Sequence, residues 1–586
     1  MFLSVHLCSS IRHKFQPFNY KLNSTILEYN RRKFISFLGK AGIGLAIVPP
    51  FLTSCGNTTT PSKNKGVTDT GYLEKLKNFE LKDLLASDKD DLLLTEGLNY
   101  HPVVKWGDTI SDKDTFGFNN DFTCFIPLDE NNPKDGLLWV NHEYINPLFV
   151  SDFNYRDYDN PAKHRTIEQV DKEMYNVGGT IVRVREENGQ WKVIKNDPLN
   201  RRITAQTDIK LNWDSPIKGT STVKGTLANC SGGITPWKTF ITCEENYDNF
   251  FGETKYDDQN NATHKPSSYY GWEKFYEYPP EHYGWVVEID PKTGAAQKHI
   301  ALGRFAHECC TLYELEDKRI VAYTGDDKNS EHLYKFISSK PGSLKEGTLY
   351  VADTENGKWL PLDWETQLVL KEKFKDQTEV LIRAREAAKL LGATELNRPE
   401  DIEIDPVTGH IFLTLTNNKD KGDFHGSIMK IEETNGAFDA LTFKASTYIA
   451  GGEENGFSCP DNLAFDMAGN LWITSDMSGG SMNREDKPYM PFKNNSLFVI
   501  PRYGKDAGKV IRVASAPKDA ELTGPWFSPD GKTLFLSVQH PGEQTKDIKN
   551  PTSTWPFDED NIPKSAVVAI QGEVIEKMNK LNTLES

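Results

Sequence analysis

Cysteine is scarce in this chain, with 8 residues in 586, and none lies in a CxxC pair or in a spacing typical of zinc ligands. This scarcity excludes a disulfide-framework fold and argues against a zinc site. The sequence also lacks the GxSxG motif of a nucleophile elbow and the glycine-rich Walker loop that cradles phosphates. The absence of these two motifs is consistent with a catalytic route through metal ions.

Net positive charge is also missing, because the formal charge at pH 7 is −16. Proteins that bind nucleic acid need a basic surface, so we expect no nucleic-acid partner. Hydrophobic residues make up 37% and charged residues 26%, which is typical of a soluble globular body. The excess of acid is compatible with carboxylates gathered around cations, although a solvated acidic surface is the commoner cause.

A long apolar run is absent near the N-terminus, where a shorter one follows Arg31 and Arg32. The apolar stretch 37–52 is too short and too interrupted by glycine for a membrane-spanning helix. A twin arginine before such a stretch predicts export by the Tat machinery. The stretch ends in LTSC, which resembles a lipobox with Cys55 as the lipidated residue. A plain signal peptide with a chance cysteine is the alternative.

These features predict three parts: a signal with lipobox at 1–55, a tether and N-terminal extension at 56–94, and one repeating domain at 95–586. Residues 56–70 are rich in Thr, Ser, Asn, Gly and Lys, a composition typical of a flexible tether. We expect the protein to be exported and held at the periplasmic or outer membrane face, or at the cell surface, by its lipid alone. The sequence has no sign of an oligomer interface, so we predict a monomer.

The domain repeats one pair of strands six times. The first strand type is an apolar run that ends in polar residues, at 137–144, 239–246, 320–327, 411–418, 471–476 and 534–540. The second type follows each copy, at 179–185, 284–290, 331–337, 426–431, 495–500 and 565–570. Six ordered pairs predict an all-β fold, a six-bladed β-propeller with long insertions between blades. A β-sandwich or two separate β-domains is the alternative.

Two insertions have a composition of their own. Residues 376–391 place apolar side chains at helical spacing among good helix formers, which predicts a helical insertion. Residues 254–278, rich in Tyr, Lys and Asn, are expected to form a long loop.

Polar motifs recur where the strands would reach the mouth of the central channel, the usual ligand site of a propeller. Clustered carboxylates must either hold protons or bind cations. Oxygen donors suit Ca²⁺, and a thiolate suits a softer metal such as iron. In sequence order the candidates are Asn141, His142, Glu143, Cys230, Glu244, Glu245, Arg304, His307, Glu308, Asp326, Asp327, Arg398, Glu400, Asp401, Glu403, Cys459, Asp461, Asn462 and His540.

Single candidates have simpler explanations. An acid after a strand is usually a solvated turn residue, and Cys230 beside two glycines fits a small buried residue. His307 fits a hydrogen-bonded core histidine, and Arg398 fits an ion pair with a nearby acid. The prediction therefore depends on convergence across the blades.

The combined motifs resemble those of the PhoX-type alkaline phosphatases over about residues 95–570. They are WVNHEY, NCSGGITPWKTFITCEEN, GRFAHE, YTGDD, LGATELNRPEDIEID and CPDNLAFD. The resemblance implies a six-bladed propeller with iron and calcium ions at its mouth. It also implies extracytoplasmic hydrolysis of small phosphate monoesters, and sometimes of diesters. One departure is Lys238, where the family usually has glycine.

The resemblance also implies roles for particular residues. Cys230 is the expected iron ligand. Arg398 is expected to hold phosphate, since a guanidinium matches phosphate oxygens bidentately, and Glu308 is expected to act in catalysis. The expected metal ligands are Glu143, Glu244 or Glu245, Glu308, Glu400, Asp326, Asp327, Asp461 and Asn462.

Two other functions fit the residues. One is a propeller lactonase or esterase that uses Ca²⁺ alone. The other is a non-catalytic surface propeller that binds a ligand through its acidic mouth. Iron content and the effect of replacing Cys230 would distinguish them from a phosphatase.

Overall fold

A computed structural model describes residues 76–584 except residues 160 and 268. The predicted export signal, lipobox and most of the tether lie outside the described residues. Six sheets of four to six strands contain nearly all the β-structure, and the chain visits them in sequence order except that Leu93–Leu94 and Asn99–Lys105 join the last two sheets. The inner strand of each sheet contacts the inner strands of both neighbours, and this ring closes between Asn120–Asp129 and Glu521–Phe527. The fold is therefore a six-bladed β-propeller, as predicted.

Each blade is an antiparallel sheet of four consecutive positions from the channel outward, with extra strands on some outer edges. The strands are Asn120–Asp129, Asn132–His142, Gly178–Glu187, Gln190–Val193 and Arg201–Ile203 in blade 1; Asn229–Ile234, Phe240–Glu244, Val286–Ile289, Ala296–His299, Asp208–Leu211 and Thr222–Lys224 in blade 2; Thr311–Glu314, Ile320–Gly325, Leu333–Ser338, Gly347–Asp353 and Lys358–Pro361 in blade 3; Pro399–Ile404, Ile411–Leu415, Ser427–Glu433 and Phe443–Ala450 in blade 4; Pro460–Phe465, Leu471–Ser475, Ser496–Ile500, Ile511–Ser515 and Leu93–Leu94 in blade 5; and Glu521–Phe527, Thr533–Gln539, Ala566–Gln571 and Asn99–Lys105 in blade 6.

All twelve strands expected from the sequence are present, as the second and third strands of the six blades. Blade 6 takes its outermost strand, Asn99–Lys105, from near the start of the domain, where it pairs antiparallel with Ala566–Gln571. This pairing joins the two ends of the domain. Residues 76–94, predicted as part of the extension, also pack on the propeller, because Leu81 and Leu92 are buried in a core with residues of blades 5 and 6.

Hydrophobic side chains fill the spaces between neighbouring blades. Trp139 of blade 1 stacks on Phe240 of blade 2 at 5.8 Å between ring centroids, and Phe125 stacks on Phe535 of blade 6 at the same distance. Because successive side chains of a strand point to opposite faces of the sheet, both faces of a blade carry apolar residues. Each blade therefore packs against the next one.

Most of the helices lie in the insertions, and Glu573–Met578 and Leu581–Leu584 follow the last strand. The predicted helix 376–391 is two helices, Gln377–Ile382 and Ala384–Leu391, since Arg383 between them leaves helical geometry. The other helices are Pro147–Val150, Ile167–Asn176, Asp248–Phe251, Leu368–Lys373 and Glu573–Met578. Short 3-10 helices are Tyr155–Asp157, Pro161–Lys163, Trp272–Lys274, Pro280–His282, Ile300–Leu302, Lys419–Lys421, Thr434–Gly436 and Leu581–Leu584.

The loop prediction for residues 254–278 is wrong in part, because Glu253–Tyr256 and Ala262–Lys265 form a hairpin. The short strands Asn329–Glu331 and Leu396–Asn397 form another small sheet. Within residues 76–584, no helix is long and apolar enough to cross a membrane.

Candidate functional site

A cavity of about 220 Å³ opens at the end of the channel where the inner strands begin. One thiol, from Cys230, and one guanidinium, from Arg398, line it together with His540. The rest of its polar lining is mainly carboxylate, from Asp121, Glu143, Glu245, Glu308, Asp327, Glu400, Asp461, Asp476, Glu521 and Glu543.

Each blade contributes one cavity residue at the start of its inner strand or, for Glu308, three residues before that strand. In blade 2, Asn229 pairs with Glu244 and the next pair is Gly232 with Thr242, so a β-bulge lies at Cys230. Blades 1, 4 and 5 have the same bulge at the corresponding residue. A bulge re-aims a side chain, here towards the channel axis. We call the six residues the inner ring: Asp121, Cys230, Glu308, Glu400, Asp461 and Glu521.

The backbone bends sharply just before the inner ring. In five blades the residue two positions earlier is a non-glycine residue with φ between +42° and +62°. That conformation is rarely adopted by L-residues and costs on the order of 1 kcal/mol or more, so such residues concentrate at functional sites. The five residues are Asn119, Ala228, Arg398, Cys459 and Asp519.

A second set of cavity residues comes from the ends of the second strands. We call it the outer ring: Glu143, Glu245, Asp327, Asp476 and His540. Each follows its strand by one or two residues. Because side chains alternate along a strand, the residues before Glu143, Glu245 and Asp327 do not line the cavity, whereas Gln539, before His540, lines it and donates a hydrogen bond to Glu143 at 2.9 Å.

Two predicted ligands, Glu244 and Asp326, lie outside the cavity. Glu244 is fully buried and accepts hydrogen bonds from the Lys298 ammonium at 2.7 and 3.0 Å. Asp326 is fully buried and accepts two from the Arg385 guanidinium at 2.7 and 2.5 Å. Their neighbours Glu245 and Asp327 face the cavity.

Asn462 is a third predicted ligand outside the cavity. Its side-chain oxygen accepts hydrogen bonds from the Thr523 hydroxyl at 2.5 Å and the Gly524 N–H at 2.7 Å. It therefore joins blades 5 and 6 beneath the mouth. Its neighbour Asp461 lies on the inner ring.

Two groups of potential ligand atoms share the Cys230 thiol. One combines it with Asp121 and Glu143, the other with Glu245 and Glu308, and within each group all the atoms lie within 4.8 Å of one another. A thiolate among carboxylates suits transition metals, and the carboxylates suit hard cations such as Ca²⁺. This donor set fits a mixed metal centre of the kind expected from the sequence.

The acids of the mouth are crowded in a poorly solvated space. Burial, with repulsion from neighbouring carboxylates, raises the pKa of Asp121, Glu308, Asp461 and Glu521 well above the ordinary range. Burial also raises the pKa of Glu143 to about 7. Clustered cations would favour the ionised forms of such groups.

Burial also raises the pKa values of the Cys230 thiol and of two further ring acids. Burial, followed by the charges of Asp121 and Glu308, raises the pKa of Cys230 well above its usual value. Burial likewise raises the pKa of Glu245 and of Glu400. The Glu400 Oε2 atom is buried without a hydrogen-bond donor, which leaves it available to a cation.

Arg398 is held in place by two acids of the mouth. Its Nε and Nη2 donate to the two Asp327 carboxylate oxygens at 2.8 and 2.9 Å, and Nη2 lies 2.5 Å from Glu400 Oε1. Burial raises the pKa of Asp327, but the charge and hydrogen bonds of Arg398 together with the charge of Lys328 outweigh it, and the net shift is downward. Within the described residues, Arg398 Nη1 has no protein acceptor, so one edge of the guanidinium is available to a ligand.

Four further acids line the cavity that were not among the candidates from the sequence: Asp121, Asp476, Glu521 and Glu543. The sequence contains a pattern from which two of these acids, Asp121 and Glu521, could have been predicted. NND at Asp121 and DAE at Glu521 occupy the same place before a strand as ANC, RPE and CPD do at Cys230, Glu400 and Asp461. Aligning the inner strands, as well as the second and third, would have found both.

Fold and mouth together define a six-bladed propeller enzyme with an acid-rich site of the metal-binding type. The sequence matches the family of alkaline phosphatase PhoX over residues 79–542. The chain belongs to this family, and it is accordingly a hydrolase of phosphoric esters.

One solved structure supports this assignment. PhoX of Pseudomonas fluorescens, in complex with vanadate, a transition state analogue, is 28% identical with a TM-score of 0.73; the match covers 84% of this chain and 98% of that one. A Dyadobacter fermentans protein of unknown function is 10% identical at a TM-score of 0.37, covering 82% and 100%. Trypanosoma rangeli sialidase with the inhibitor DANA is 8% identical at 0.34, covering 84% and 62%, and neither of these two carries a functional argument. No curated protein sequence matches the chain.

Proposed function

We propose that this protein hydrolyses phosphate monoesters outside the cytoplasm, at a centre of iron and calcium ions in the propeller mouth. The observation that carries the proposal is the sharing of the Cys230 thiol by two acidic ligand groups. This arrangement lies in a fold and family of phosphatases.

Different ring residues suit the iron ion and the calcium ions. Cys230 offers the ligand best suited to iron, because a thiolate favours transition metals over calcium, and Glu308, 3.0 Å from the thiol, can share the same ion. Asp121 and Glu143, with the other ring acids, offer the oxygen ligands that calcium prefers. When bound, such ions supply positive charge that stabilises the transferring phosphoryl group.

Arg398 adds the protein's own positive charge. Asp327 and Glu400 fix its guanidinium plane, so Nη1 is presented to the cavity without a large loss of side-chain freedom on binding. We assign Arg398 to binding a phosphate oxygen of the substrate, where a fixed donor stabilises developing charge.

The proposed location rests on the sequence before the propeller. The twin arginine Arg31–Arg32 and the lipobox at Cys55 support export in the folded state and a lipid anchor. Lipid labelling of wild-type protein and of Cys55→Ala in a bacterial host tests this part. Loss of label and release of soluble enzyme are expected for the variant, and unchanged attachment would contradict the anchor.

The first experiment measures metals and turnover on one sample purified without chelator. Elemental analysis should find iron and calcium, and p-nitrophenyl phosphate should be hydrolysed until a chelator is added. The diester bis(p-nitrophenyl) phosphate tests the wider substrate range implied by the sequence resemblance. Calcium without iron, with lactone hydrolysis instead, would favour a lactonase. Calcium-dependent binding without turnover would favour a binding propeller.

A further inference from the structure

We propose that Tyr155 and Tyr269, at the rim of a recess beside the mouth, form a subsite for a planar aromatic leaving group, an inference that rests on the proposed phosphatase function. The recess has a volume of about 40 Å³ and shares Tyr144, His540 and Glu543 with the mouth cavity. An ester whose phosphate lies in the mouth therefore directs its leaving group along this shared wall.

The outer part of the recess carries exposed aromatic surface. Tyr155 and Tyr269 line it with ring centroids 5.5 Å apart, and Tyr269 is 41% exposed. Tyr270 holds Tyr269 edge-on at 4.5 Å, and the Arg156 guanidinium covers Tyr155 at 4.6 Å from its centroid. Positioned rings of this kind pack against planar aromatic groups.

The inner end of the recess is polar. The Asn119 amide lines it, is fully buried, and has no hydrogen-bond partner at either Oδ1 or Nδ2. Buried polar groups are nearly always paired, so this amide offers one donor and one acceptor to a ligand. The volume is too small for a ring, and it suits the polar edge of a group that lies against the two tyrosines.

The group held at this subsite is the one that leaves during hydrolysis of the ester. An oxygen of water forms a bond to phosphorus, the bond from phosphorus to the ester oxygen breaks, and that oxygen leaves with a proton as an aryl alcohol. Tyr155 and Tyr269 touch only the leaving group, so they are expected to act on the binding of aromatic esters and not on the phosphoryl chemistry.

The test compares kcat/KM of the metal-loaded enzyme for 1-naphthyl phosphate and for glycerol 2-phosphate. Tyr269→Ala and Tyr155→Ala should each lower the value for the naphthyl ester about three- to tenfold, chiefly through KM, as expected for losing one aromatic contact. The value for the glycerol ester should change less than twofold. Tyr158→Ala is the matched control, because Tyr158 is 40% exposed on the same insertion and lines neither cavity.

Three outcomes would overturn the subsite. Equal losses on both esters would show a general structural effect, and a second check by thermal unfolding would confirm it. Unchanged kinetics on both esters in both variants would show that the rings do not contact substrate. If wild-type enzyme hydrolyses neither ester, the proposed phosphatase function is refuted, and the proposed subsite, which rests on that function, is refuted with it.

Discussion

The Cys230 thiol lies 3.0 Å from Glu308 Oε1, although the two residues are 78 positions apart along the chain and belong to different blades. Both belong to the inner ring, and both belong to the same group of potential ligand atoms. At this contact, blade 2 supplies a soft sulfur donor and blade 3 supplies a hard oxygen donor to the same site.

Replacing either partner should remove activity without unfolding the protein. Cys230→Ala and Glu308→Gln are each expected to lower kcat/KM for p-nitrophenyl phosphate about 100-fold or more, with loss of bound iron, because each removes a proposed ligand. Cys124→Ala is the control, since Cys124 is buried in a core away from the cavity. Folded variants that keep metal and full activity would refute the assignment.

Arg398→Lys should separate charge from geometry. Lysine keeps the positive charge but cannot contact Asp327 through two nitrogens and still present a third to phosphate. We expect kcat/KM to fall about 10²-fold, and inhibition by inorganic phosphate to weaken, because one donor to the phosphoryl group is lost. Arg385→Lys is the matched control, because Arg385 pairs with Asp326 outside the cavity. Equal effects of both changes would argue against a substrate role.

Glu288 should stabilise the fold except in acid. It accepts hydrogen bonds from Trp237 at 2.6 Å and His299 at 2.8 Å, and although burial opposes ionisation these contacts lower its pKa from 4.5 to about 2. A depressed pKa stabilises the folded state above the unfolded value, by about 3 kcal/mol for this shift, and that gain disappears as pH falls from 4.5 to 2.

Urea unfolding of wild-type protein and of Glu288→Gln measures this effect. The difference in the free energy of unfolding should be largest above pH 5 and should shrink steadily at lower pH. A difference that is independent of pH between 3 and 6 would show that the carboxylate is not ionised by these contacts.

Lys238→Gly should stabilise the protein without changing its activity. Lys238 lies in the turn between the first two strands of blade 2, at the end opposite the mouth, and its φ is +66°. Glycine adopts this conformation without a Cβ penalty, so we expect a gain of about 0.5–1 kcal/mol in the free energy of unfolding. Lys238→Ala keeps the Cβ and should give no such gain, and equal stabilisation by both changes would refute the backbone explanation.

The position of Lys238 also resolves a departure from the family pattern. The side chain cannot add a cation to the mouth, because the inner strand of blade 2 runs from Cys230 at the mouth to Ile234 at the opposite end. The substitution of glycine by lysine is therefore a matter of turn geometry and stability.

The sequence by itself determined the fold class, the order of the blades and the family. Period-two apolar runs with turn residues specify strands locally, and six ordered copies leave few topologies. The order of the strands placed the motifs around Cys230, Glu308 and Glu400 at the mouth, and the resemblance to the family supplied their expected roles.

Only the tertiary structure decided which acids face the mouth. In the pairs Glu244–Glu245 and Asp326–Asp327 the two residues point to opposite sides, and the choice depends on strand register, which a single sequence does not specify. Asp121 and Glu521 were missed for a related reason: they lie near opposite ends of the domain and meet only because the first and last blades close the ring, with local bulges turning side chains to the axis.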